Sequence, residues 1–280
     1  MYRYKGLLIF AAVFALAAAS FYFGRYVGGR SSEKPDRIFV DTAEKAPDPE
    51  KPALAIVIDD VGYSMKNFEA IKGTGMPLTL AVLPGHRYSA EACEFAVSNG
   101  LDVILHLPME PLSKNWAREE HTLMSGMGAD ETEDILAASL LSTPGVSGVS
   151  NHMGSKATAD EKTVRVLMRS LKKRNLFFLD SLTTSHSICE RAADHYSVPY
   201  LRRDVFIDND PERAYISGQL MKSGEMALKK GRAIAIGHDR ENTIAALKEV
   251  APELKKKGIR FVTLKEMVSD LKRTDRPEFR

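Results

Sequence analysis

The chain has 280 residues, 44% of them hydrophobic and 27% charged, which suits one substantial core and argues against disorder over most of its length. Its 39 basic and 37 acidic residues leave a net charge of +2, so it presents no basic field and no nucleic acid is expected as a partner.

The first thirty residues differ from the rest. Residues 7–23, LLIFAAVFALAAASFYF, run without a charge behind Arg3 and Lys5. A basic start followed by an all-round apolar run, at the short limit of a membrane span, reads as a signal anchor or a cleaved signal peptide over residues 1–27. The small residues AAAS at 17–20 suit cleavage, whereas Phe21, Tyr22, Phe23 and Tyr26 suit the aromatic belt of an uncleaved anchor. The body is therefore expected in the periplasm or outside the cytoplasm, anchored in the inner membrane by residues 7–23, or secreted if the segment is cleaved. Residues 28–52 are rich in Gly, Ser, Pro and charge and read as a flexible linker. Residues 53–272 make the domain, and 273–280 a C-terminal tail. Cys93 and Cys189 are too few for a disulfide framework and are expected as buried free thiols.

Short β-branched or aromatic runs then recur at 54–59, 78–83, 102–107, 146–151, 176–180, 198–201, 233–237 and 260–264. Amphipathic segments separate most of them, for example 133–141, 161–173, 212–230 and 242–257. Continuous apolar runs divided by helices predict a mainly parallel sheet covered on its faces. Seven or eight such units predict an α/β fold, an irregular TIM-like (β/α) barrel. The alternative, an open doubly wound sheet, lacks a glycine-rich phosphate loop after its first strand.

The strand ends carry the chemistry. The first run ends in Asp59 and Asp60, the third carries His106, the fourth runs into Asn151 and His152, the fifth ends in Asp180 and Ser181, and the seventh ends at His238. The carboxyl ends of barrel strands share one rim, where active sites are built. Carboxylate oxygen with imidazole nitrogen is a donor set for zinc or another divalent transition metal, with about three protein ligands and one position left open. Adjacent residues on a strand point to opposite faces, so Asp59 and Asp60 reach one centre only if the strand bends there, which Gly62 eases. One carboxylate would then hold the cation and the other would handle the proton.

The succession IDDVG, HLPMEP, NHMGS, LDS and IGHDR resembles the polysaccharide deacetylases with a NodB-type domain, and more closely their divergent, YibQ-like branch, over about residues 54–271. That resemblance implies a base at Asp59 and metal ligands at Asp60 and His106, with the shell completed by Glu110, four residues after His106, or by His152. It implies His238 as the proton donor, oriented by Asp180. Tyr63 (through its backbone N–H), Asn151, Ser181 and Trp116 are expected on the substrate side. The implied reaction is metal-assisted removal of an N-acetyl or other acyl group from an acetylated polysaccharide or peptidoglycan-type glycan, with Zn, or else Co, Ni or Mn, as cofactor.

Other readings stand beside these. Asp59 and Asp60 suit a turn capping a helix at 64–72, Asp180 suits a cap on a helix from 185, and His106 and His152 suit structural hydrogen bonds. His86, His121, His186 and His195 lie outside the strand-end pattern. A different metal-dependent hydrolase, such as a phosphoesterase using Lys156, Arg202 and Arg203, and a non-catalytic glycan- or protein-binding envelope protein are the competing functions.

Overall fold

The structure, a computed structural model, describes residues 51–274. The signal or anchor segment, nearly all of the linker and most of the tail lie outside the described residues. Among the described residues, no helix is long and apolar enough to cross a membrane.

The strands are β1 (Ala53–Val61), β2 (Thr79–Val82), β3 (Asp102–Met109), β4 (Gly148–Met153), β5 (Phe177–Asp180), β6 (Tyr200–Arg202), β7 (Val205–Phe206), β8 (Arg232–His238) and β9 (Arg260–Val262). They interleave with α1 (Phe68–Lys72), α2 (Ser89–Ser98), α3 (Ala129–Ser142), α4 (Glu161–Lys173), α5 (Cys189–Tyr196), α6 (Arg213–Lys230), α7 (Glu241–Lys256) and α8 (Leu264–Thr274). All pairings are parallel, in the order β6-β5-β4-β3-β2-β1-β8-β7, with β9 beside the start of β1. The sheet therefore curls into a TIM-like half-barrel, open between β6 and β7, as the alternation of apolar runs and helices predicted. Two details differ. The first helix is only Phe68–Lys72, and β7, two residues long, is a ninth strand too short to stand out as an apolar run.

Alternation along β1 builds the two sides of the sheet. Ala53, Ala55 and Val57 join Ala81, Ile104, Leu179, Leu201, Ile234 and Ile236 in one apolar cluster. Leu54, Ile56 and Ile58 belong to another, formed with α1, α2, α6 and α7. Met267 and Val268 of α8 join the first cluster, and the start of α8 is fixed at the amino ends of two strands. Leu264 N donates to Thr79 Oγ1 (3.0 Å) and Lys265 N to Asp102 Oδ2 (3.0 Å). The helix thus closes the amino end of the barrel and leaves the carboxyl rim to the loops.

Candidate metal centre and active site

The bend that the adjacent aspartates require is present. Pairing of β1 with β2 slips between Ile58 and Val61, and Asp60 has φ +59°, the left-handed region that a non-glycine residue seldom occupies. That single turn brings Asp60 to the same centre as Asp59. His152 is followed by a similar device, Met153 at φ +56° and Gly154 at φ +89°. A Cβ on Gly154 would stand 2.9 Å from Met109 Cβ, so β4 can turn against β3 only with glycine there. Left-handed non-glycine residues at the carboxyl ends of β1 and β4 are strain placed where side chains converge.

Asp60, His106 and His152 form the one group of three or more His, Cys, Asp or Glu side chains among the described residues with donor atoms mutually placed for a metal. Asp60 Oδ1 lies 2.9 Å from His152 Nδ1 and 3.4 Å from His106 Nε2. Bonds of 2.0–2.1 Å in a tetrahedral shell separate neighbouring donors by about 3.3 Å, so this spacing fits a zinc-sized cation. The oxygen is buried yet has no hydrogen-bond partner, because the imidazole nitrogens face it without hydrogen-bond geometry. His106 Nδ1 is 2.7 Å from Ser150 Oγ, which ties down the far side of the ring and leaves Nε2 aimed at the carboxylates.

The two carboxyl groups have opposite electrostatics. Burial pushes Asp59 up, against the pull of His106, while the neighbouring charge on Asp60 pushes in the same direction as burial. Burial acts upward on Asp60 too, but the facing His106 and His152 outweigh it and hold Asp60 far below the usual carboxylate range. Asp59 Oδ2 sits 3.5 Å from His106 Nε2, and its Oδ1 is buried without a hydrogen-bond partner. A pair whose environments push its members apart divides into an ionised ligand and a carboxylate able to take a proton.

Across the rim, His238 Nδ1 is 2.8 Å from Asp208 Oδ1, its backbone N–H donates to Asp208 Oδ2 (2.7 Å), and Thr243 Oγ1 donates to the same oxygen (2.8 Å). Burial lowers the basicity of His238, but Asp208 more than offsets it and the imidazole is net raised. Its Nε2 points inward, 3.8 Å from Asp60 Oδ2. The rim therefore holds a ligand cluster, a buried carboxylate and an acid-capable imidazole.

Comparison with known proteins follows the same lines. The sequence profile of the family described as divergent polysaccharide deacetylase matches residues 56–268. The chain belongs to that family. It is 36% identical over 201 residues to the protein YibQ of Escherichia coli (strain K12), covering 72% of this chain and 63% of YibQ. It is 39% identical over 194 residues to a protein of Haemophilus influenzae, covering 69% of each. The chain thus spans under two thirds of YibQ's length. Among solved structures, the protein ATU2773 of Agrobacterium tumefaciens C58 superposes with a TM-score of 0.74 at 25% identity, over 78% of this chain and 89% of that one.

Within this member of the divergent polysaccharide deacetylase family, the remaining expected site residues go elsewhere. Glu110 stands apart from the ligand cluster: Lys156 Nζ donates to its Oε1 (2.7 Å) and Ser125 N to its Oε2 (2.8 Å). The structure brings His152, and not Glu110, together with Asp60 and His106, since strand β3 runs on to Met109 and no helical turn forms to bring Glu110 back. Asp180 does not orient His238. Its carboxylate accepts from Leu182 N (2.7 Å), Ser187 Oγ (2.6 Å) and Tyr200 Oη (3.2 Å) on the β5 side of the barrel opening, and Asp208 holds the imidazole instead. Asn151 and Ser181 are buried and brace each other: Ser181 N donates to Asn151 Oδ1 and Ser181 Oγ to Asn151 O, both at 2.9 Å, and Asn151 Nδ2 donates to Met153 O at 2.7 Å. They shape the turn behind His152. Tyr63 is exposed on the rim, and Trp116 is half-buried in the loop between β3 and α3.

Four further residues lie outside the strand-end pattern. Asp208 follows the two-residue strand β7. Arg203 places its guanidinium 3.8 Å from the centre of the Phe206 ring, which lies nearly parallel to His238 (13°, 6.2 Å), and donates to Ser181 O (2.7 Å) and Leu182 O (3.0 Å). His86 and Glu119 meet beside Tyr63.

Proposed function

We propose that this domain is a metal-dependent hydrolase that removes N-acetyl or other acyl groups from an acetylated polysaccharide or peptidoglycan-type glycan. The carrying observation is the convergence of Asp60 Oδ1, His106 Nε2 and His152 Nδ1 beside a second buried carboxylate and across from the His238–Asp208 pair. Asp60, His106 and His152 would hold the cation, with Zn favoured by the N, N, O donor set and Co, Ni or Mn compatible with it. A divalent cation bound there supplies Lewis acidity toward an acyl carbonyl and toward a water.

The chain's own residues do the rest. Asp59, buried with one oxygen free, takes the proton of the attacking water. The backbone N–H of Tyr63, on the loop that the Asp60 turn begins, would donate to the developing oxyanion. His238, protonated on both ring nitrogens with its Nδ1–H donated to Asp208, gives its Nε2 proton to the leaving amine and is left as the neutral Nδ1–H tautomer. The membership of the divergent polysaccharide deacetylase family supports the reaction class, and the electropositive N-terminal run and apolar residues 7–23 support an exported location with an inner-membrane anchor. Metal analysis of the purified full-length chain, with amine release measured on acetylated glycan, tests the enzyme reading. One bound divalent ion and metal-dependent amine release are expected. Absence of metal binding at micromolar zinc would sink it.

A further inference from the structure

Beyond the ligand cluster, three loops bring Tyr63, His86 and Glu119 together on the same rim. Tyr63 Oη donates to Glu119 Oε1 at 2.6 Å, and His86 Nε2 lies 3.0 Å from Glu119 Oε2. The Tyr63 and His86 rings stand 4.2 Å apart, tilted by 55°. The backbone under the ring is also fixed. Gly62 has φ +126°, its carbonyl accepts from Tyr88 N (3.2 Å), and a Cβ on it would come within 3.3 Å of Leu83 O and of Ser89 Oγ. Glycine there lets the β1 loop seat Tyr63 against His86.

Tyr63 is nonetheless 53% exposed. Surface tyrosines usually keep their rotamer freedom, since holding an exposed ring still brings no burial in return. Here both ends of the ring are held, by a hydroxyl bond and a ring contact, while a large part of it stays bare three residues from Asp60. An aromatic ring immobilised in advance and left open is a contact surface that adds little ordering cost when a ligand arrives. Its flat apolar surface suits the C–H face of a pyranose.

The geometry points to Tyr63 as a stacking platform for a sugar ring of the substrate chain, with His86 and Glu119 as the positioning residues that hold it. This rests on the glycan reading above and assigns it a recognition surface separate from the metal ligands. Glu119 sits in the loop between β3 and α3 that also carries Trp116, the only tryptophan, whose emission serves as a probe on that loop.

The test uses the full-length, zinc-loaded chain and a β-1,4-linked tetramer of N-acetylglucosamine, with binding followed by calorimetry and Trp116 emission. Y63A is expected to weaken binding on the order of 10-fold, and Y63F, which keeps the ring and loses the Glu119 bond, by about threefold. E119A should match Y63F, and the Y63F/E119A double variant should be no weaker than either, because Glu119 acts through the Tyr63 hydroxyl. Zinc affinity should not change in any of them. Should Y63A fail to fold, Y63W against Y63L decides: the aromatic retains binding and the aliphatic does not. Wild-type chain that ignores the tetramer, or Y63L that binds it like wild type, overturns the platform. Wild type that binds the tetramer but releases no amine would overturn the deacetylase reading while the binding series still stands for the platform.

Discussion

Two buried aspartates at opposite ends of the barrel show how differently the same side chain is used. Asp102, at the amino end of β3, accepts from Val103 N (3.0 Å), Ser147 Oγ (2.7 Å) and Lys265 N (3.0 Å), and so joins the starts of β3, β4 and α8. Asp59, at the carboxyl end of β1, has one oxygen with no hydrogen-bond partner and the other facing an imidazole at 3.5 Å. Burial pushes both carboxyl groups up. At Asp102 three hydrogen bonds offset part of that cost and the residue serves the fold, whereas at Asp59 no hydrogen bond does so. A buried charge left short of partners costs stability, and that cost persists in a native protein where function uses it. The barrel thus separates a satisfied end from an unsatisfied one, as conserving stability below and chemistry above would require.

The sharpest way to break that comparison is to neutralise each member. D59N should leave zinc affinity within a few fold and lower amine release by about 10²–10⁴-fold, the usual contribution of a general base. In chelator-treated protein its Tm should equal or exceed that of the wild type, since a poorly compensated buried charge is gone. If D59N instead lost zinc as completely as D60A, Asp59 would be a ligand and not the base. D60A, measured by calorimetric zinc titration, should weaken binding by at least ~100-fold, because it removes the oxygen on which both imidazoles converge.

D102A is the mirror experiment. It strands Val103 N, Ser147 Oγ and Lys265 N, at about 3 kcal/mol for the set, and should lower Tm by roughly 6–12 °C with little change in zinc affinity. A pH series adds a sign. The folded pKa of Asp102 is raised, so between its unfolded and folded values the native state binds more protons than the unfolded chain. Its contribution to stability therefore falls as pH rises through that window and recovers on acidification. D102N, which cannot titrate, should lack this component when denaturant midpoints are compared between pH 7 and pH 4.

How far the sequence alone could go is visible in the same residues. Asp59, Asp60 and His238 were legible because they close apolar runs of four residues or more, and His106 and His152 because they stand within or just after short strand-like runs, and parallel strands deliver such positions to one rim. Asp208 was not, because its strand is Val205–Phe206 alone. The signal existed in weaker form: FID at 206–208 repeats the apolar-apolar-Asp pattern of VID at 57–59 and FLD at 178–180. The family resemblance offered Asp180 in its place, though the barrel opens between β6 and β7 and puts Asp180 on the far side of that opening from His238. The resemblance likewise offered Glu110 as a ligand four residues after His106, a relation that holds on a helix and fails on an extended strand. The Tyr63, His86 and Glu119 group joins positions 23 and 33 residues apart on loops, for which periodicity offers no guide.

The smallest effect expected on the comparison lies near the rim but serves the fold. Asp160 caps α4: its Oδ1 accepts from Thr163 N (2.9 Å), Thr163 Oγ1 (2.6 Å) and Gly126 N (3.2 Å), the last from the loop between β3 and α3. The bond from Thr163 is the main cause holding this carboxyl below its ordinary value. D160A should cost about 1 kcal/mol, the usual worth of such a cap, and lower Tm by roughly 2–4 °C at pH 7. Because the folded pKa is depressed, the stabilisation is fully present above the unfolded value and is lost as pH falls through the folded one. The Tm gap between wild type and D160A should therefore close as the pH is taken from 5 down past the ordinary carboxylate range. A gap that stayed constant over that interval would mean that helix packing, and not the ionised cap, carries the effect, and Asp160 would then stand with Asp102's neutral neighbours as a residue whose charge the fold does not use.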